Sequence, residues 1–251
     1  MSERRDRTPA QRYRAAWRTL ASRQKPGHGV PAYMRWVNRR LARPIAAAAF
    51  VARMTPNQVT ALSALASAAG LAILILAPQT MLVGLAVAVL LALGFALDSA
   101  DGQLARLRGD SGPVGEWVDH VVDAVRSPAV HLATGVALWL HGASTWLVLV
   151  ALIFALTVTT TFLSQILAEQ LLANQHEGGA IAAAQPAPGS IRSVLLLPVD
   201  TGIICWMFVT WGIPTLFAVT YLLIGIAHLG YLLVTLARKY RTLQIAGGLY
   251  A

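Results

Sequence analysis

Acidic residues are concentrated in one short part of this sequence. Six of its eleven aspartates and glutamates lie within 26 residues: Asp98, Asp101, Asp110, Glu116, Asp119 and Asp123. Asp98 and Asp101 are three residues apart, and Asp119 and Asp123 are four apart, so each pair shares one face if its segment is helical. Carboxylate oxygens are ligands for hard cations such as Mg²⁺ and Mn²⁺. The spacing therefore predicts a divalent-metal site.

The two pairs of aspartates are separated by a polar turn from Gly109 to Pro113. Two helices joined by so short a turn run antiparallel, which lets all four aspartates converge in one pocket. Four negative charges in a partly desolvated pocket repel one another unless they are paired or bind cations. Few arginines lie nearby, so we predict two bound metal ions about 3.5–4 Å apart. Asp110 and Glu116 lie in or beside the turn, and we expect them to be solvated.

Small residues and one arginine accompany the carboxylates. A glycine such as Gly102 costs about 1 kcal/mol in a helix relative to alanine, which is tolerable if the missing side chain leaves room for a ligand. Ala105 and Gly115 are similarly small. Arg106, one turn beyond Gly102, can donate two parallel hydrogen bonds to a phosphate. This combination favours a substrate that contains a pyrophosphate.

The composition is that of a membrane protein. Hydrophobic residues make up 56% of the 251 residues and charged residues 12%, whereas a soluble domain has roughly 25% charged residues. The apolar residues form blocks long enough to cross a bilayer as helices. We predict an all-α, polytopic membrane protein with six transmembrane helices, at residues 56–77, 81–104, 117–140, 145–171, 194–211 and 215–237.

The basic residues indicate orientation in the membrane rather than binding to nucleic acid, despite the net charge of +9. Thirteen of the twenty lysines and arginines lie between Arg4 and Arg53, before the first apolar block. Loops after the first, third and fifth spans contain none. By the positive-inside rule, both termini and the carboxylates are cytoplasmic, at the cell membrane. The one cysteine, Cys205, excludes an intramolecular disulfide.

The region before the first span divides in two. Residues 1–25 form a polar, Arg-rich cytoplasmic arm, and residues 26–55 form an amphipathic juxtamembrane segment that precedes a six-helix catalytic domain at 56–240. In the second segment, apolar residues such as Val37 and Leu41 recur at helical spacing opposite arginines. This pattern predicts an N-terminal amphipathic helix in the membrane interface, in contact with lipid head groups. Pro44 should kink or end that helix.

The carboxylate region resembles the signature of the CDP-alcohol phosphotransferase family. That signature is D-x-x-D-G-x-x-A-R, eight residues, then G-x-x-x-D-x-x-x-D, and it matches from Asp98 to Asp123 without exception. The segment that opens the first span, Thr55 to Thr60, also looks like its counterpart in this family. The resemblance implies an enzyme that cleaves a CDP-activated lipid or alcohol, releases CMP and joins the remaining phosphoryl group to an acceptor alcohol. It also implies a homodimer.

The resemblance implies a role for each matching residue. Asp98, Asp101 and Asp119 would be metal ligands, and Asp123 would be a ligand or the general base that takes the acceptor's proton. The residues implied to contact the nucleotide are Gly102, Ala105, Arg106, Gly115, Asn57 and Thr60.

Recognition of the acceptor is assigned to three other polar residues. Arg126 lies inside the third span, where an unpaired guanidinium is costly, so it either binds the phosphate of an acceptor or pairs with Asp123 or Asp200. Arg192 lies just before the fifth span. Asp200 follows Pro198, where an irregular helix could open onto the cavity.

Two other functional classes stay open as alternatives. Intramembrane prenyltransferases also bind a Mg²⁺-diphosphate through Asp-rich motifs, but on helices far apart in sequence, whereas both pairs here lie within 26 residues. A divalent-cation transporter would need polar residues that continue across several spans. The outer halves of these spans are mostly leucine, valine and alanine.

Overall fold

The computed structural model describes residues 8–22, 29–110, 112–176 and 190–248, and these residues form helices and turns without a strand. The α-helices in these ranges are α1 Pro9–Ser22, α2 Arg39–Val51, α3 Pro56–Leu76, α4 Met81–Arg108, α5 Pro113–Leu140, α6 Thr145–His176, α7 Ser190–Leu195, α8 Thr201–Met207 and α9 Pro214–Gly248. A π-helical turn, Met34–Asn38, precedes α2, and 3-10 turns at Leu197–Val199 and Phe208–Thr210 flank α8.

Within the described ranges, helices of membrane-spanning length and apolarity occur at four places: Pro56–Leu76, Met81–Arg108, Thr145–Ala173 and Pro214–Gly247. They correspond to the first, second, fourth and sixth predicted spans. The third predicted span lies in α5, which is long enough but has a polar N-terminal half with the charged residues Glu116, Asp119, Asp123 and Arg126. The chain is therefore an all-helical membrane protein in which four of the six predicted spans are apolar enough to cross a bilayer by length and composition.

The fifth predicted span is not one helix, which corrects the prediction of a continuous span over 194–211. Pro198 lies in a 3-10 turn, and Asp200 is extended, with φ −80° and ψ 129°. The carboxylate of Asp200 caps α8 by accepting the N–H of Gly202 at 3.1 Å. The irregularity expected near Pro198 is thus confirmed, because a proline and a capping aspartate interrupt the helical hydrogen bonds.

Local signals set the ends of the helices that carry the carboxylates. Helix α4 ends at Gly109, whose φ of 76° is a left-handed conformation that glycine adopts without strain. Helix α5 begins at Pro113. Proline suits this position because the N–H that it lacks would have no partner within the helix. In α3, Thr55 Oγ1 accepts the N–H of Gln58, and Gln58 Oε1 accepts the N–H of Thr55. This capping box fixes the start of α3.

Helix α3 is the scaffold of the site because it packs against both α4 and α5, whereas α5 otherwise packs on α6. The α3–α4 contact is close because its residues are small. Ser63 donates a hydrogen bond to the carbonyl of Gly94 at 2.8 Å, and a Cβ at Gly94 would lie 2.3 Å from Ser67 Oγ. Small residues let two helix backbones approach in this way.

The N-terminal region contains a helix that the sequence did not predict. Helix α1 lies within the polar arm, yet Ala16 and Leu20 are buried against an alanine face of α2. Helix α2 in turn packs on α4. Pro44 lies inside α2 and does not end it. Leu41, on the face that was predicted to be apolar, is exposed.

Candidate metal and nucleotide site

The carboxylates of Asp98, Asp119 and Asp123 converge between the C-terminal part of α4 and the N-terminal part of α5. One oxygen from each lies within 4.8 Å of the others, and all three side chains are partly buried. Two oxygens on one Mg²⁺ lie at most about 4.2 Å apart, because each bond is about 2.1 Å long. A small closure of the side chains would therefore bring all three onto one cation. Three oxygen donors and no nitrogen or sulfur fit a hard divalent ion.

Asp101 does not belong to this group of three. Its Oδ2 accepts a hydrogen bond from the hydroxyl of Thr60 at 2.6 Å, and the residue is buried. Thr60 was predicted to contact a nucleotide, whereas its hydroxyl lies against Asp101 and the carbonyl of Pro56. The structure thus brings three of the four predicted ligands together. The fourth, Asp101, is hydrogen-bonded to Thr60 on α3.

Arg126 lies between two of the converging carboxylates. Its Nη2 is 2.8 Å from Asp98 Oδ1 and also contacts Asp123 Oδ1. Its Nη1 donates to Ser63 Oγ at 2.8 Å. The side chain is 13% exposed, so its charge is largely removed from water and depends on these partners. The sequence offered Asp123 and Asp200 as partners of Arg126, and Asp123 is in contact with it. The contact with Asp98 was not predicted.

Open space adjoins the two glycines of the motif. A Cβ at Gly102 would have one neighbour within 4 Å, Nη1 of Arg106 at 3.5 Å, and a Cβ at Gly115 would have none. Ala105 and Arg106 lie in the same last turns of α4 and are partly exposed. Asn57 is exposed in the first turn of α3. These positions leave room beside the carboxylates for a ligand.

The acidic residues in or beside the turn have other partners. Asp110 forms an ion pair with Arg108 at 2.9 Å, and Glu116 lies 3.9 Å from His120. Both carboxylates are well exposed. The prediction that they are solvated surface residues is confirmed.

The predicted acceptor residues are dispersed. Asp200 is buried, and its carboxylate accepts the N–H groups of Met34 at 3.0 Å and Gly202 at 3.1 Å. These contacts join the segment before α2 to α8, which is a structural role. Arg192 lies in α7, but its side chain lies outside the described residues. A role for either residue in binding an acceptor stays a prediction.

A cavity of about 300 Å³ adjoins the carboxylates. Asp98, Asp123 and Arg126 lie at one end, and the other lining residues are uncharged. Two of these are the histidines His131 and His228. Nδ1 of His131 is 3.0 Å from the hydroxyl of Tyr221, whereas Nε2 of His228 is buried and makes no hydrogen bond among the described residues.

The sequence interpretation missed Ser63 and the polar end of this cavity. A signal was available, since Thr60, Ser63 and Ser67 recur three and four residues apart in an otherwise apolar helix. That spacing places them on one face of α3. All three are buried, and this polar face is the one that meets Asp101 and Arg126.

A comparison with protein families covers the part of the chain that carries these residues. The family model described as CDP-alcohol phosphatidyltransferase matches residues 53–237, a range that contains all four aspartates, the motif glycines, Arg126 and Thr60. No curated protein matches the chain significantly. The matched range covers nearly three quarters of the 251 residues. The chain therefore belongs to the CDP-alcohol phosphatidyltransferase family.

Proposed function

We propose that this protein transfers a substituted phosphoryl group from a CDP-alcohol to an acceptor alcohol and releases CMP, as a step in the synthesis of a phospholipid or a polyol phosphodiester. The donor is a CDP-diacylglycerol or a soluble CDP-polyol. The observation that carries this proposal is the convergence of Asp98, Asp119 and Asp123 beside the open space at Gly102 and Gly115. Family membership supplies the reaction class.

The proposed metal site uses Asp98, Asp101, Asp119 and Asp123 to hold Mg²⁺ or Mn²⁺, with two ions in all. Bound divalent ions would supply the positive charge that stabilises a diphosphate and a departing CMP. The all-oxygen donor set and the partial burial of the carboxylates support this assignment. Thr60 supports it indirectly, because its hydroxyl fixes the orientation of Asp101 from α3.

The proposed nucleotide site lies against the C-terminal part of α4. Gly102, Ala105 and Gly115 leave room for the cytidine, and Arg106 donates hydrogen bonds to a phosphate. Asn57, exposed at the start of α3, is positioned at the same end of the bundle as the motif. Thr60 contributes through Asp101.

Asp123 is the proposed general base. The hydroxyl oxygen of the acceptor forms a bond to the phosphorus that carries the donor's alcohol, and its proton passes to the carboxylate of Asp123. The bond between that phosphorus and the bridging oxygen of the diphosphate breaks, so CMP leaves with the electron pair. The cavity beside Asp123 offers space for the acceptor, where Arg126 would contact it, with Arg192 and Asp200 as further candidates.

The proposed arrangement in the cell membrane has six spans, with α5 as the third and the broken α7–α8 segment as the fifth. Both termini and the carboxylates face the cytoplasm, because loops rich in lysine and arginine alternate with loops that lack them. Helix α2 and the π-helical turn before it lie in the interface, which the exposure of Leu41 and Val37 supports. Following the family resemblance, we propose that the protein forms a homodimer.

The reaction can be tested with purified protein, Mn²⁺, and separate pools of CDP-activated donors and acceptor alcohols. We expect CMP release only when donor and acceptor are both present, and we expect a chelator to abolish it reversibly. Asp123→Asn should lower the rate by at least about 100-fold. Asp110→Asn is the matched control, because Asp110 is an exposed acid in the adjacent turn.

Two results would replace this proposal with one of the alternatives. Turnover of a prenyl diphosphate without CMP release would indicate a prenyltransferase. Flux of Mn²⁺ into proteoliposomes, lost in Asp98→Asn and without any CMP release from the donor pools, would indicate a cation transporter.

A further inference from the structure

Arg126 contacts the same carboxylates that the proposed function assigns to the metal ions. Its Nη2 is shared between Asp98, on α4, and Asp123, on α5. A guanidinium in this position neutralises part of the charge of three neighbouring carboxylates without any metal. The guanidinium directly contacts one oxygen of Asp98 and one of Asp123, which are two candidate metal ligands. It therefore competes with a cation for the same oxygens.

The guanidinium is anchored on a third helix. Nη1 donates to Ser63 Oγ at 2.8 Å, and Ser63 in turn donates to the carbonyl of Gly94 at 2.8 Å. Arginine carries five N–H donors in a rigid plane, so three separate partners can hold it in one orientation. The contact with Ser63 therefore fixes the guanidinium at the carboxylates.

We propose that Arg126 is a built-in counter-ion of the metal site. It holds Asp98 and Asp123 together when no metal is bound, and its guanidinium must leave at least one of them when a divalent ion binds. Arg126 is thus a positioning residue that weakens metal binding and stabilises the metal-free protein. This inference rests on the proposed metal site, but it assigns Arg126 a role other than contact with an acceptor.

The test is the affinity for Mn²⁺ in purified protein without substrates, measured from the electron paramagnetic resonance signal of free Mn²⁺. Removing the competing charge in Arg126→Gln should tighten Mn²⁺ binding by at least about tenfold, because a like charge a few ångströms away opposes a divalent ion. Arg126→Lys keeps the charge and should stay within about threefold of the unmodified protein. Arg108→Gln, in an exposed ion pair, is the matched control and should leave the affinity unchanged.

Ser63→Ala provides a second measurement that leaves the charge in place. Loss of the anchor makes the guanidinium easier to displace, so Mn²⁺ binding should tighten by about two- to fivefold. The melting temperature gives an independent readout. Without metal, Arg126→Gln should melt at a lower temperature than the unmodified protein. Saturating Mn²⁺ should raise the melting temperature of Arg126→Gln by more than it raises that of the unmodified protein.

Unchanged or weaker Mn²⁺ binding in both Arg126→Gln and Ser63→Ala would overturn the inference. Asp98→Asn and Asp119→Asn separate this failure from failure of the proposed function. If these two variants lose Mn²⁺ binding while Arg126→Gln does not change it, the metal site stands and the counter-ion role is wrong. If neither aspartate variant affects Mn²⁺ binding, the metal site itself is wrong, and the counter-ion role is wrong with it.

Discussion

The hydroxyl of Thr60 on α3 donates a 2.6 Å hydrogen bond to Oδ2 of Asp101 on α4. The two residues are 41 positions apart in sequence, and both are buried. Because a buried carboxylate needs a donor, this bond sets the orientation of Asp101 relative to the other three aspartates.

Replacement of Thr60 by valine tests this relationship. The change keeps the shape of the side chain but removes the side-chain donor to Asp101, which should cost about 1–3 kcal/mol of stability. We expect CMP release to fall by about tenfold, equivalent to about 1.4 kcal/mol. Thr60→Ser retains the hydroxyl and should keep most of the activity. Equal loss in the serine and valine variants would show that the hydrogen bond is not what matters at this position.

Gly102→Ala tests whether the glycine at this position is required by the ligand rather than by the fold. A Cβ there would meet only the far end of the Arg106 side chain at 3.5 Å, so Gly102→Ala should fold and gain up to about 1 kcal/mol of helix stability. If the CDP moiety packs against this position, the KM for the donor should rise by roughly tenfold. Gly230→Ala is the control, because a Cβ at Gly230, in α9, also has open space around it. Donor titrations that give the same KM for Gly102→Ala and the unmodified protein would contradict the proposed nucleotide site.

Gly202 is required for the contact between the N-terminal region and α8. A Cβ at this position would lie 2.0 Å from Cδ1 of Tyr33, whose hydroxyl accepts a hydrogen bond from Trp206 Nε1 at 2.9 Å. Gly202→Ala should therefore lower stability by about 1–3 kcal/mol through overpacking. In the background of Tyr33→Ala, where the ring is absent, the same change should cost much less. A thermal-shift cycle of the four proteins measures this coupling, and additive effects would refute the contact.

The proposed orientation can be measured with single cysteines. Cys205 is the one cysteine of the sequence, so a Cys205→Ala background provides a protein without thiols. In intact cells, an impermeant maleimide should label Ser144→Cys, in the turn between α5 and α6, but not Gly112→Cys, in the turn before α5. The reason is that the first turn contains no lysine or arginine, while the second follows Arg106 and Arg108. The reverse pattern would invert the assignment of sides.

Several features of the fold could be predicted from local sequence because they depend on neighbouring residues. Apolar blocks about 20 residues long predicted helices, and four of them are long and apolar enough to span a membrane. Gly109 and Pro113 marked the turn between α4 and α5, since one favours a left-handed conformation and the other favours a first helical turn. The same spacing argument placed Asp119 and Asp123 on one face of α5, and the two carboxylates do lie close together.

Other features could not be predicted in this way. Helix α1 has a polar composition, and its burial of Leu20 depends on the alanine face of α2. Pro198 predicted an irregularity in the fifth span, but the partner of Asp200 could not be predicted, because its carboxylate accepts the N–H of Met34, 166 residues away. Such pairings depend on how distant helices pack.

The sequence by itself determined the chemistry available to this protein: a membrane-embedded helical bundle, two pairs of aspartates at helical spacing, and small residues beside an arginine. Only the tertiary structure decided how these groups are used. It brought Asp98, Asp119 and Asp123 together and gave Asp101 a hydrogen bond from Thr60. It also placed Arg126 between two carboxylates, with a hydrogen bond to Ser63. The physical reason is that helical periodicity fixes which residues share a face, whereas the partner of that face depends on close packing between α3, α4 and α5.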